Sequence, residues 1–486
     1  MNRKFLKRIL QLAIIVMVAA SLIFVVSVIL NGINKSFHSK DDKDPTAAPD
    51  VNPTGIAGDP TEAGESETPD ATQAQQNTPE PTQEPQLITY KDVSMLAAGD
   101  VMVYESMWVS AKQYGGDRYD FSELTKYVSE IIKDADVAVF NLETNCAGEE
   151  IGYSAYPLFN SPDNIITTMK DAGFDVALFA NNHTYDKGHR GLIRTQEILA
   201  QNNLKVIGAR TSESAKSYGV FEFGGVKFGM MNFCYEDGPD DKMTDRTCKY
   251  LNWNRLDDQD IPLIDTFNRT RLDDFYTEAA SRIAEMKAQG ADLIVLFMHW
   301  GSEYEEAANS EQKTIAKKMC DLGVDVLVGG HSHTVEPTEK VVSSDGSRKM
   351  LCFYSLGNYT SAQNRATFKA GTEYAWLTEN ELMAKFVVRK YSTGETIVLN
   401  AQYYPCWMHR HTVNDRLVFN VVPLEKALAS DDSRARYGLL ESSFGVDHAT
   451  TAYRYIVNLV KSGIEDFNSS VVLPYEAGDP RLAPGY

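Results

Sequence analysis

The chain has 486 residues, 43% hydrophobic and 23% charged, so it is long and apolar enough to bury a sizeable core. Its 47 basic and 67 acidic residues leave a net charge of −20, and residues 1–40 hold six basic and no acidic ones, so the remainder is more acidic still. That balance speaks against nucleic acid as a partner, and any anion handled here needs a metal or a local basic pocket.

At the N-terminus, Arg3, Lys4, Lys7 and Arg8 precede an uncharged run from Ile9 to Leu30 that contains a single Gln11. A helix of that length crosses the hydrocarbon of a bilayer. The basic flank keeps residues 1–8 in the cytoplasm and sends the rest across. A cleavable signal has a shorter apolar region and a small-x-small site. Residues 9–30 are therefore read as a transmembrane signal anchor, with a cleaved signal as the alternative. The expected location is the cell membrane, single-pass, with the folded part extracytoplasmic. Residues 41–88 carry eight of the 18 prolines, eleven acidic residues, one lysine and no aromatic residue. Such a stretch cannot offset its ordering entropy by burial, and reads as a disordered Pro/Thr/Glu-rich linker. The six cysteines (146, 234, 248, 320, 352 and 406) form no C-x-x-C pair. They read as buried free thiols, not as a zinc site.

From Asp92 onward, strand-length and helix-length patterns alternate. Apolar runs at Val93–Val103, Val137–Asn141, Val176–Ala180, Leu293–His299, Val324–Val328 and Met350–Leu356 predict strands. Phe121–Asp134, Pro162–Ala172, Leu192–Gln201, Leu272–Gln289 and Gln312–Leu322 predict amphipathic helices. This alternation predicts an α/β fold of βαβ units around a largely buried sheet. Two short alternating runs joined by Gly224-Gly225 predict a hairpin over 220–229, so the sheet is mixed. Residues 234–270 are polar and Asp-rich and read as an insertion or lid. After Leu399 the signals weaken. A domain over 90–425 and a C-terminal helical extension over 426–486 are expected.

The strand ends carry the chemistry. Successive runs finish in Gly99-Asp100, Asn141-Leu142-Glu143, Asn181-Asn182-His183 with Asp186 beyond, His299-Trp300-Gly301, Gly330-His331-Ser332-His333 and Gly357-Asn358. In α/β sheets, ligands gather where strands give way to loops. Each of these residues alone has a structural explanation, as a turn, a cap or a hydrogen-bonded core histidine. Together, Asp, Glu, Asn and three His at separate strand ends form an oxygen and nitrogen set for two adjacent divalent ions. His331 and His333, two apart on an extended segment, are expected to point the same way.

This ordered series, over roughly Val93 to Leu424, resembles the CapA family, named for capsule and poly-γ-glutamate synthesis, which is itself similar to the calcineurin-like metallophosphoesterases. The resemblance implies a metallophosphoesterase-like β-sandwich flanked by helices, here preceded by one transmembrane helix and the linker. It implies two divalent metal ions, Mn, Zn, Fe or Mg. Asp100 and His333 would hold the first, Glu143 would bridge, and Asn182, His299 and His331 would complete the second. His183 matches the histidine that protonates a leaving group, with Asp186 to orient it. The family's pattern has D-x-H at its first motif, and here Met102 stands in place of that histidine. A thioether is a poor ligand for these ions, and His409 and His411 are candidates to repair the site, although an exposed polar strand also explains them.

Three functions follow from different classes. One is a membrane-anchored protein of capsule or poly-γ-glutamate biosynthesis or export, working with other capsule-synthesis membrane proteins. No P-loop or other ligase motif is present. The second is a metal-dependent extracytoplasmic hydrolase of phosphoesters, or of amide bonds, acting on an anionic envelope polymer or on nucleotides. The third is a non-catalytic assembly scaffold. Trp300 and Tyr304, beside His299, either line a substrate groove or pack in the core.

Overall fold

The computed structural model describes residues 87–240, 242–368, 374–476 and 478–484; the segment read as an anchor and most of the linker lie outside them. Among the described residues no helix is long and apolar enough to cross a membrane. The first four strands are parallel: β1 (Ile88–Val101), β2 (Val137–Leu142), β3 (Val176–Leu178) and β4 (Lys205–Ile207). The chain then leaves for a second sheet. There the Gly-Gly hairpin joins β5 (Gly219–Phe223) to β6 (Val226–Tyr235), followed by β7 (Leu293–His299), β8 (Val326–Gly330), β9 (Thr338–Val342) and β10 (Lys349–Phe353). Their order is β9-β10-β8-β7-β6-β5, with β6, β7, β8 and β10 parallel. The chain returns to the first sheet through β11 (Asn358–Thr360), which pairs with β1. It finishes with antiparallel β12 (Asn380–Tyr391), β13 (Thr396–Val413) and β14 (Arg416–Pro423).

Period-two alternation sorts these strands into layers. On β1, Val93, Met95 and Ala97 share one buried cluster with Val295 and Phe297 of β7 and Val326 and Val328 of β8, so the two sheets face each other. Leu96 and Ala98, on the opposite face of β1, pack with Ile165, Met169, Leu192 and Leu199 of helices Asn164–Ala172 and Gly188–Gln201. Ile294, Leu296 and Met298 of β7 pack with Ile283, Met286, Ile315 and Met319 of helices Leu272–Ala288 and Ser310–Leu322. The result is a mixed α/β architecture with helices on the outer faces of paired sheets.

Two stretches differ from the sequence reading. The single helix expected over 121–134 is two short ones, Ser122–Thr125 and Ser129–Lys133. Between them, Ser129 Oγ donates to the Thr125 carbonyl at 2.8 Å, a local bond that competes with continuous helix. The weak region after Leu399 is the 18-residue β13, whose buried positions on its two faces include Cys406 and Met408 on one and the rings of His409 and His411 on the other. The closing helix, Gly445–Ser469, lays Ala449, Ala452, Ile456, Val460, Ile464 and Phe467 on the inter-sheet core. Leu482–Pro484 then pairs in parallel with the start of β1. All six cysteines are buried and unpaired.

Glu381 of β12 is buried, and neither of its carboxylate oxygens has a hydrogen-bond partner. Burial pushes its carboxyl well above the usual range. The folded chain therefore holds a proton there that the unfolded chain releases, and stability declines as pH rises above the unfolded carboxyl's range. Calorimetry between about pH 5 and pH 8 should show the wild type losing stability more steeply than Glu381→Gln, by up to ~1.4 kcal/mol per pH unit. Parallel slopes would contradict this reading.

Candidate metal centre

Parallel strands deliver their C-terminal ends to one edge of the paired sheets. A bulge between Ala97 and Asp100 interrupts the register of β1, and Asp100 N donates to the Gly357 carbonyl at 3.0 Å. A Cβ on Gly99 would run into that same carbonyl, so only glycine permits the approach. Likewise a Cβ on Gly330, at the end of β8, would lie 2.7 Å from Asp100 Oδ1. Gly99 thus lets β1 approach the Gly357 turn, and Gly330 lets β8 close on Asp100.

Asp100 is fully buried. Its Oδ1 accepts from Asn141 Nδ2 at 2.8 Å, and its Oδ2 accepts from the His331 amide at 3.0 Å and lies 3.6 Å from His333 Nδ1. His333 Nδ1 is also 3.1 Å from Asn358 Oδ1. Glu143, directly after β2, has 0% exposure, and neither of its oxygens has a hydrogen-bond partner. His299 Nε2 stands 3.5 Å from Glu143 Oε1 and 2.9 Å from Asn182 Oδ1. Two sets of ligand atoms result, each within 4.8 Å: Asp100, Glu143 and His333, and Glu143, His299 and His331. Glu143 is common to both.

The charges explain why these residues suit cations. Burial and then the nearby Asp100 push the Glu143 carboxyl well above its ordinary range. Burial pushes His299 down to about 4 and His331 well below its usual value, so both rings are neutral and their nitrogens can accept. Burial opposes charge on His333 as well, but Glu143 and Asp100 carry it up to about 9. Asp100 is held low against burial, chiefly by His333 and then His299. A buried carboxylate without a partner costs several kcal/mol, and divalent ions would supply the missing charge. The oxygen and imidazole donors match borderline and hard cations. By these criteria the residues fit a pair of divalent ions.

Beside this set, His183 Nδ1 lies 2.7 Å from Asp186 Oδ2, which also accepts from the Phe159 amide at 2.7 Å. Asn252, from the 234–270 segment, donates through Nδ2 to the Pro157 carbonyl at 2.9 Å and to Asp186 Oδ1 at 3.2 Å, and lies 3.3 Å from His183 Nδ1. The segment expected as a lid thus reaches the His183–Asp186 pair.

The structure brings all eight residues singled out from the sequence to this edge, with Asp100, Glu143, His299, His331 and His333 in the two ligand sets and Asn182, His183 and Asp186 around them. The segment bearing His331 and His333 is not extended: their φ angles are +98° and +57°. The tight turn, and not strand geometry, brings the two rings to 5.9 Å. Met102 is buried, with its amide on the Thr360 carbonyl. His409 and His411 belong to neither ligand set. They are buried, not exposed, and stack on each other at 4.0 Å, with His411 Nε2 3.2 Å from Glu441. Sequence reasoning missed Asn252, which no local pattern marks, and Tyr235, whose ring packs 4.6 Å from that of His331. It also gave no role to Asn141 and Asn181, although both stand in the motifs. Asn181 Nδ2 donates to Asn141 Oδ1 at 3.0 Å, so the pair braces Asp100 from below.

The family described as "Bacterial capsule synthesis protein PGA_cap" matches residues 94–363, a stretch that holds all eight candidate residues. The chain belongs to this family. Over 285 residues it is 27% identical to the "PGA biosynthesis protein CapA" of Bacillus subtilis (strain 168), covering 57% of this chain and 66% of that one. Over 276 residues it is 26% identical to the "Capsule biosynthesis protein CapA" of Bacillus anthracis, covering 56% of this chain and 60% of that one. The PGA_cap chain therefore spans somewhat less than two thirds of either relative. Among solved structures, the calcineurin-like phosphoesterase YfkN from Bacillus subtilis overlaps it with a TM-score of 0.37 at 14% identity, covering 75% of this chain and 100% of that one.

Proposed function

We propose that this PGA_cap protein is a metal-dependent hydrolase of phosphoester bonds that serves capsule or poly-γ-glutamate assembly at the cell envelope. In this reading residues 9–30 anchor it in the cell membrane, its folded part is extracytoplasmic, and it works beside other capsule-synthesis membrane proteins. The observation that carries the chemistry is the sharing of Glu143, buried and without a hydrogen bond, between two ligand sets. The relatives' names support the process.

Asp100, Glu143 and His333 would hold one divalent ion, and Glu143, His299, His331 and the Asn182 amide oxygen the other. Such a pair polarises a phosphoryl oxygen and makes an attacking water more acidic. The chain's own groups do the rest. Asp186 accepts the Nδ1 proton of His183 and so leaves Nε2 to carry the proton a departing oxygen needs. Asn141 and the His331 amide fix the Asp100 carboxylate. The Tyr235 ring packs against His331, which is buried.

The test is turnover of bis(p-nitrophenyl) phosphate by the full-length protein with Mn, Zn, Fe or Mg supplied in turn. Hydrolysis that a chelator removes and added metal restores supports the proposal; no hydrolysis with any of the four overturns it. With an alkyl phosphodiester, whose departing alkoxide needs a proton, Asn252→Ala should lower turnover about tenfold, the loss typical when a group that orients a functional side chain is removed. Its metal content should match the wild type. Unchanged turnover would show that Asn252 does not position the His183–Asp186 pair.

A further inference from the structure

A cavity of about 570 Å³ opens beside the Asp100–His333 half of the centre. Its walls are aromatic and acidic: Tyr104, Tyr156, Tyr304 and Phe368 supply rings, and Glu105 and Glu303 supply carboxylates. No Lys, Arg or His among the described residues lines it. Tyr304 joins it to the centre, its ring 6.0 Å from that of His333 and edge-on to Phe368 at 5.4 Å. Tyr304 holds this place with φ at +64°, a left-handed conformation that a bulky residue adopts only at a cost. Its amide, donating to the Ser332 carbonyl at 2.7 Å, ties that conformation to the histidine turn. Strain kept beside a reactive centre points to a ring placed for a ligand.

Charge decides which ligand. Among the described residues a polyanionic arm would meet two carboxylates and no cation, so these walls repel it. Ring faces and carboxylates together attract an organic cation, by the ring quadrupole and by direct Coulomb force. We propose that this cavity is a subsite for an ammonium group, primary or quaternary, carried on one arm of the substrate whose phosphoester lies at the metal centre. The word substrate rests on the hydrolase reading; recognition of the cation does not. The anionic remainder of a polymer would then leave the centre on another side.

The probe is choline chloride, titrated calorimetrically into the full-length protein with and without chelator. Its neutral isostere, 3,3-dimethylbutanol, serves as control. Choline should bind about tenfold more tightly than the isostere, the difference that ~1.4 kcal/mol of cation recognition gives. Glu303→Gln should reduce that preference severalfold, and Glu303 is exposed, so the substitution does not threaten the fold. Equal affinity for the two probes, or no binding of choline in either state, overturns the subsite. Failure of the protein to take up metal would sink the hydrolase reading while leaving a choline preference intact, so the two failures are distinct.

Discussion

Replacing Glu143 by glutamine is expected to abolish uptake of both divalent ions and to raise the melting temperature of the ion-free protein. Both effects have one cause. Glu143 is the only side chain common to the two ligand sets, so its loss removes an anionic donor from each. Without ions it is a carboxyl with 0% exposure, no hydrogen bond and Asp100 nearby, which burial and that neighbour drive toward the neutral form. Keeping such a group in an apolar interior costs stability at any pH where the unfolded chain would ionise it. Glutamine has the same shape without the charge. The ion-free variant should gain about 1–4 kcal/mol at pH 8, the scale seen when buried ion pairs give way to uncharged, well-packed side chains. With ions supplied, the order should invert, because only the wild type gains the stability that binding confers. Elemental analysis and calorimetry with and without chelator test both halves. A glutamine variant that retains two ions, or that is destabilised when ion-free, would contradict the account.

The second large effect is expected at His183. Its ring belongs to neither ligand set, and its Nδ1 is engaged by Asp186 at 2.7 Å. His183→Ala should therefore keep the wild-type metal content and lose about 10²–10⁴ in turnover, the contribution of a positioned general acid. The loss should depend on the leaving group. An alkyl phosphodiester, whose departing alkoxide needs a proton, should show the full defect. A p-nitrophenyl ester, whose departing phenolate needs none, should show much less. Asp186→Asn should fall between, since it keeps the ring in place but no longer favours the Nδ1 proton. An equal loss with both leaving groups, or a loss of metal, would remove His183 from the role of acid.

Much of this arrangement was legible in the sequence because both the strands and the ligands follow short-range rules. Leu293–His299 is apolar up to its last residue, as a strand covered on both faces must be, and its range matches the structure. The candidate ligand residues stand at the ends of such runs, so a linear reading can single them out. Their pairing into two sets is a property of the parallel topology, which local sequence does not contain. The turn at His331–Ser332–His333 looked extended because a positive φ leaves no trace in residue type unless glycine or asparagine marks it. β13 went unread because aromatic and imidazole rings, instead of aliphatic residues, fill much of its buried face. Asn252 was invisible for a different reason. It lies 66 residues from Asp186 in sequence and meets it only through tertiary packing of an irregular segment.

The most direct measurement is the metal content of the full-length protein, purified without chelator and offered Mn and Zn, beside a His331→Ala variant. The account predicts two ions per chain in the wild type and the loss of one in the variant, because His331 serves only the set it forms with Glu143 and His299. A wild type that binds no ion, or a His331→Ala variant that still binds two, would contradict it.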